Sequence, residues 1–128
     1  MNELVTIYGC LCDLTRLRIL NLLCQGPLCV CHIQDILREP QVKVSKHLGY
    51  LKVHGMVDVR REGNWRVYSV VTKRTKALEA NLACLQDCAA ENPLFRRDSE
   101  KLKSVRCDLD GDSPACCAKP QPLKFKAS

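Results

Sequence analysis

The sequence has no stretch of about 18 apolar residues, the length a helix needs to cross a bilayer. Its first residues, Met1 to Thr6, show neither the basic start nor the apolar run of a secretory leader. Both absences lead to the expectation of a cytoplasmic chain that does not engage a membrane. No internal repeat is visible. Cys-x-x-Cys is missing as well, together with the strand-helix context and the positioned base that a thiol oxidoreductase needs, so an enzyme is not expected. What the chain does have is cysteine: ten in 128 residues. In a reducing compartment these stay thiols, which favours metal binding, redox sensing or core filling over a disulfide framework. A chain of this length can bury a real core without such staples. The net charge of +6 is moderate but local. Between Gln41 and Arg66 stand six cations (Lys43, Lys46, Lys52, Arg60, Arg61, Arg66) and two acids (Asp58, Glu62), which is +4 of the +6. A positive stripe of this kind suits a polyanion such as nucleic acid.

Periodicity divides the chain. From Asp13 to Cys24 apolar residues recur at helical spacing in a wide stripe, which predicts a core helix stopped by Gly26-Pro27. A short helix is expected from near Cys29 to Leu37, with Ile33, Ile36 and Leu37 inward, and Glu39-Pro40 breaks it. The next helix, from near Gln41, buries Val44, Leu48 and Leu51 and is capped by Gly55. The period then changes to two: Val57 and Val59, a turn at Glu62-Gly63-Asn64, and alternation from Trp65 to Val70 predict a hairpin with a basic tip. Helical spacing returns from about Thr72 to Glu91, with Leu78, Leu82, Leu85 and Ala89 on one face, and Asn92-Pro93 closes it. A charged segment beyond can add one more helix, and the remainder from Cys107 reads as a flexible tail. The expected division is residues 1–95 as the DNA-binding and dimerisation domain and residues 96–128 as a charged extension with a cysteine-containing tail. The fold class is mainly α with a β-hairpin wing (α+β).

Helix, turn, helix, hairpin is the order of a winged helix-turn-helix, whose second helix enters the major groove. On the outward face of that helix, Gln41 and Lys43 can reach base edges, while Ser45, Lys46 and His47 hold phosphates; Arg60, Arg61 and Arg66 let the wing follow the backbone or minor groove. The segments DLTRLRILNLL, LCVCHIQDIL and VSKHLGYLKVHGMVDVRREGNWRVYSV together resemble the ArsR/SmtB family of metal-responsive repressors over roughly residues 3 to 92. The resemblance implies a homodimer on inverted-repeat operator DNA, with the first and last helices as the dimer interface. It also leaves the Leu78, Leu82 and Leu85 stripe as the expected contact between protomers.

The same resemblance singles out Cys29-Val30-Cys31, similar to the Cys-Val-Cys segment of the arsenic, cadmium and lead sensors of that family. Trivalent arsenic and antimony, the expected inducers, prefer several thiolates, as do cadmium and lead. A helix start also stabilises negative charge there. Two residues apart on a regular helix, however, point roughly 200° from each other, so a shared ligand requires a first turn that unwinds or is already irregular. The third cysteine of the best-known arsenic sensors is replaced here by Gln34. Candidates for a third thiolate are Cys10 and Cys12 near the first helix and Cys107, Cys116 and Cys117 near the C-terminus. Cys24 reads as core, and Cys84 and Cys88, at i, i+4, as interface packing. His32 could be a borderline zinc ligand, but the acid and histidine pairs of the family's last-helix zinc site are missing from Thr72 to Glu91. A thiol redox or persulfide sensor of the same fold is the alternative reading.

Overall fold

Asp13 breaks the chain from one helix and opens the next: its carboxylate, in extended backbone, accepts a hydrogen bond from the Arg16 amide at 3.1 Å. The structure, a computed structural model, describes residues 3–109, with side chains as far as residue 105. Helix α1 (Glu3–Leu11) precedes the cap and α2 (Leu14–Leu23) follows it. Strand β1 (Leu28–Cys29), α3 (Val30–Leu37), α4 (Gln41–Val53), β2 (Val57–Glu62), β3 (Trp65–Val70), α5 (Lys76–Ala89) and α6 (Pro93–Leu109) complete the order.

Helix α2 is central. Ile19, Leu20, Leu22 and Leu23 are all buried, so the helix is apolar nearly all round at its C-terminal half, as an element enclosed by others must be. Val44, Leu48 and Leu51 of α4 are fully buried as their spacing predicts. The C-terminus of α4 closes as a Schellman motif: Gly55 at φ 77° donates to the Lys52 carbonyl and Met56 to that of Leu51. The hairpin turns on Gly63-Asn64, where only Gly63 has positive φ, the pattern of a type II′ turn.

Four features differ from the sequence expectation. Helix α1 is a separate, short element of nine residues. The hairpin belongs to a three-stranded antiparallel sheet in the order β1-β3-β2, because Leu28 and Cys29 pair with Tyr68 and Val67. That extra strand explains why Val67 and Tyr68 are both buried despite adjacent positions. The stripe Leu78, Leu82, Leu85 and Ala89 is not left for a second protomer: all four are buried within the chain, where α1, α2 and α6 pack against α5. The expected division at residue 95 falls inside α6. Asn92 caps that helix, its side-chain oxygen accepting from the Leu94 and Phe95 amides, and Pro93 takes the first-turn position where its missing donor costs nothing. Phe95, Asp98 and Leu102 of α6 are buried.

Helix α6 is held to α2 by a bidentate pair: Arg18 Nε and Nη2 donate to the two Asp98 carboxylate oxygens at 2.8 and 2.9 Å. The Asp98 hydrogen bonds raise the pKa of Arg18 against the opposing effect of burial. Removing one partner of such a pair strands the other. Asp98→Ala is therefore expected to destabilise the fold by about 3 kcal/mol, read as a lower urea midpoint at unchanged m. Combining it with Arg18→Met should restore part of the loss. An unchanged midpoint in the single variant would show that the pair does not hold α6.

Candidate nucleic-acid interface and thiol pair

Burying Val44, Leu48 and Leu51 fixes the rotation of α4, so Gln41, Lys43, Ser45 and Lys46 face solvent. Lys43 is ion-paired with Glu39 at 3.2 Å, four residues before it, and Arg60 with Glu62 at 2.8 Å along strand β2 of the wing. Exposed pairs of this kind contribute about 0–1 kcal/mol, so both cations can change partner at little cost. Among the described residues Lys46, Arg61 and Arg66 have no ion pair. Arg61 and Arg66 stand directly opposite each other in the β2/β3 register. Like charges so placed repel, and an incoming polyanion relieves the repulsion.

His47 is placed differently from its neighbours. It is half-buried, with Nδ1 3.3 Å from Nη1 of Arg16. Burial pushes its pKa down most; the charge of Asp13 pulls it up, and the charges of Arg16, Lys43 and Lys46 add to the lowering. Sequence reasoning passed over two residues here. Val42 is 79% exposed at the N-terminus of α4, and the signal was there to read: an apolar residue off the buried face, between two polar ones. Arg16, a lone cation facing α4 from the apolar helix α2, is the other.

Cys29 and Cys31 are brought together. Cys29 is buried and sits in extended backbone (φ −98°, ψ 169°) as the residue before α3, whereas Cys31 lies in the first turn and is exposed. Their sulfurs are 3.0 Å apart, longer than the roughly 2.05 Å of a disulfide bond. Of the two alternatives for closing on one ligand, the irregular start is the one present: the strand-to-helix junction lets the sulfurs meet with α3 intact. Among the described residues no group of three His, Cys, Asp or Glu side chains gathers as a metal site. Cys10 is buried in the core and Cys12, exposed, donates to the Gly9 carbonyl. Burial pushes the Cys10 thiol up, against a lowering by Arg16. Cys24 is half-buried against the core, its thiol also pushed up by burial. Cys84 and Cys88 are exposed on α5. The Cys107 side chain, Cys116 and Cys117 lie outside the described residues.

A helix-turn-helix with a charged outer helix and a basic wing defines a winged helix-turn-helix DNA-binding protein. The family model described as "Bacterial regulatory protein, arsR family" matches residues 13–59. The chain is 34% identical over 122 residues to an arsenic resistance transcriptional regulator, ArsR1, of Pseudomonas putida, covering 92% of each chain. It is 31% identical over 120 residues to the arsenical resistance operon repressor of Escherichia coli, covering 89% of this chain and 95% of that one. Among solved structures it is similar to the homodimeric winged helix-turn-helix domain of Mb0332 from Mycobacterium bovis, a possible ArsR-family regulator. That match has a TM-score of 0.59 and 29% identity, with 70% of this chain and 80% of that one covered. The chain belongs to the arsR family of bacterial transcriptional regulators. No described helix is long and apolar enough to cross a membrane.

If the basic face meets phosphates, affinity for an operator duplex obtained by in vitro selection falls with salt at about 0.9 log units per log unit of salt for each phosphate neutralised. Lys46→Ala should flatten that slope by about one such step, and Lys46→Ala with Arg61→Ala by two. An unchanged slope and affinity in the double variant would exclude this surface.

Proposed function

We propose that the protein is a cytoplasmic repressor that binds inverted-repeat operator DNA as a homodimer and lets go when trivalent arsenic or antimony binds the thiolates of Cys29 and Cys31. The observation that carries this reading is the meeting of those two sulfurs at 3.0 Å, at the junction between wing and helix-turn-helix. Two thiolates suit soft ions, whereas hard cations call for oxygen donors. The arsenical names of the relatives support the choice of inducer. A third thiolate, if one completes the site, comes from Cys10, Cys12, Cys107, Cys116 or Cys117.

In this reading α4 supplies Gln41 and Lys43 to base edges, Val42 to a thymine methyl, and Ser45, Lys46 and His47 to phosphates, with Arg60, Arg61 and Arg66 on the wing. Cys29 is paired through its backbone with β3, next to Arg66, and Cys31 lies in the first turn of the helix that leads through Arg38 to Gln41. Arg38 ends α3 in left-handed backbone (φ 59°). An ion drawn between the sulfurs therefore pulls on wing and recognition helix together. A coupling of about 1–3 kcal/mol weakens operator binding roughly 5- to 150-fold.

Dimerisation is assigned to the outer face of α1, where Leu4, Val5 and Tyr8 are exposed, beside α5. The homodimeric relative supports it. Val5→Asp with Tyr8→Asp should shift sedimentation at micromolar concentration from dimer to monomer. A double variant that still sediments as a dimer would place the interface elsewhere.

The 3.0 Å approach also favours one second reading, a thiol redox or persulfide sensor, in which oxidation joins the pair. Cadmium or lead in place of arsenic is the other variant. Fluorescence anisotropy of operator DNA against arsenite, antimonite, cadmium, lead, zinc and peroxide separates them. Cys29→Ser and Cys31→Ser should each bind DNA near wild-type affinity and lose release by arsenite and antimonite. Release of both variants at wild-type arsenite concentration would move the sensing site to Cys107, Cys116 and Cys117, and release by peroxide alone would establish the redox reading.

A further inference from the structure

Arg16 lies beside the DNA-facing helix, yet its guanidinium is spent inside the protein. Nε donates to the Cys10 carbonyl at 3.0 Å and Nη2 to the Gly9 carbonyl at 3.2 Å. Those carbonyls belong to the last turn of α1, where backbone acceptors lack helical partners and the helix dipole favours a cation. The guanidinium carbon lies 4.1 Å from the centre of the Tyr50 ring, a cation–π distance, and Nη1 faces Nδ1 of His47 at 3.3 Å. Tyr50 stacks in turn on His54, ring centres 4.4 Å apart. One side chain of α2 thus ties the end of α1 to two residues of α4, one turn apart, on the flank next to Lys43 and Lys46.

The chemistry of the contact fixes a protonation state. A guanidinium has donors only, so Nδ1 of His47 must accept, and the ring proton must sit on Nε2. Burial, the charge of Arg16 from α2 and those of Lys43 and Lys46 from its own helix disfavour a positive charge on the ring, opposed by Asp13 at the start of α2, the largest of the charge effects. We propose that Arg16 is a positioning residue for DNA recognition: it holds His47 as the neutral Nε2–H tautomer, a donor with fixed direction, and sets the pose of the His47–Tyr50 flank of α4. The inference rests on α4 being the recognition helix. His47 then meets a phosphate as a hydrogen-bond donor and releases no counterion, whereas Lys46 does.

Salt dependence separates positioning from contact. Arg16→Gln is expected to lower operator affinity at least 10-fold while leaving the slope of log K against log salt unchanged, because no phosphate contact is removed. A direct phosphate contact would instead flatten the slope by about 0.9. Arg16→Lys keeps the charge but not the fork, and should recover less than half of the lost affinity on a logarithmic scale. Nitrogen-15 NMR of the His47 ring in the wild-type protein at pH 7 supplies a readout that does not depend on how the variants fold. A protonated Nε2 with bare Nδ1 is expected, and acidification should disturb the Tyr50 and Arg16 resonances together with His47. The Nδ1–H tautomer, a cationic ring at neutral pH, a flattened slope in Arg16→Gln, or full recovery in Arg16→Lys each overturns the proposal. Lys46→Ala is the control for its premise: if Lys46→Ala weakens binding and Arg16→Gln does not, the positioning role fails alone, and if neither does, the recognition-helix reading fails.

Discussion

Two residues carry the constraint on which the rest of the site depends. Leu28 and Cys29 are paired with Tyr68 and Val67, and that short ladder turns a free hairpin into a sheet anchored on the helical core. Without it β3 would be an edge strand with unsatisfied donors and acceptors; with it, β3 is central and Val67 and Tyr68 are buried. The same pairing keeps Cys29 in extended backbone while Val30 begins a helix. The sulfur geometry at Cys29 and Cys31 and the position of the wing are thus two results of one set of backbone hydrogen bonds.

Around that anchor, α2 organises the remaining helices through two arginines of opposite duty. Arg18 points to Asp98 and holds α6 against the core; Arg16 points to the end of α1 and to α4. Because α6 and α1 both cover α5, the leucine stripe of α5 is consumed in the protomer's own core. The large apolar residues that α1 leaves exposed are Leu4, Val5 and Tyr8, and the proposed dimer would have to draw on them rather than on the α5 stripe.

The parts of the fold that were legible in the sequence are those governed by local rules. Helical spacing gave Val44, Leu48 and Leu51 of α4; Gly55 and Gly63 marked a cap and a turn that need positive φ; alternation gave β2 and β3. What stayed hidden depended on distant partners. A two-residue strand has no periodicity, so β1 could not be seen before its pairing with β3 was known. Helix α1 runs for only about two and a half turns, too few for its apolar spacing to set it apart from the helix that follows. Asn92-Pro93 ends one helix and starts another, and either reading fits the dipeptide alone. In the site, the outward cations followed from the buried face of α4, and the Cys-Val-Cys segment from resemblance. The role of Arg16 was invisible because its partners, the carbonyls of Gly9 and Cys10 and the rings of His47 and Tyr50, are identified only by the packing of three helices.

The energetics of the proposed switch follow from how weakly the DNA-facing charges are held. The pairs Lys43–Glu39 and Arg60–Glu62 are exposed and contribute about 0–1 kcal/mol each, so neither stabilises one pose of α4 or the wing strongly. The core beneath is close-packed and resists deformation. A disturbance at Cys29 and Cys31 is then transmitted least through the core and most along the two stiff routes that leave the thiol pair: the β1–β3 ladder to Arg66, and α3 through the left-handed Arg38 to Gln41. In the proposed function both routes end at groups, Arg66 and Gln41, that would have to match phosphate and base positions closely to keep their hydrogen bonds. Misplacing two such contacts, at about 0.5–1.5 kcal/mol for each lost hydrogen bond, already reaches the 1–3 kcal/mol typical of allosteric coupling. The thiol pair therefore needs no large motion to be effective, only a position where one small displacement is felt at both DNA-binding elements.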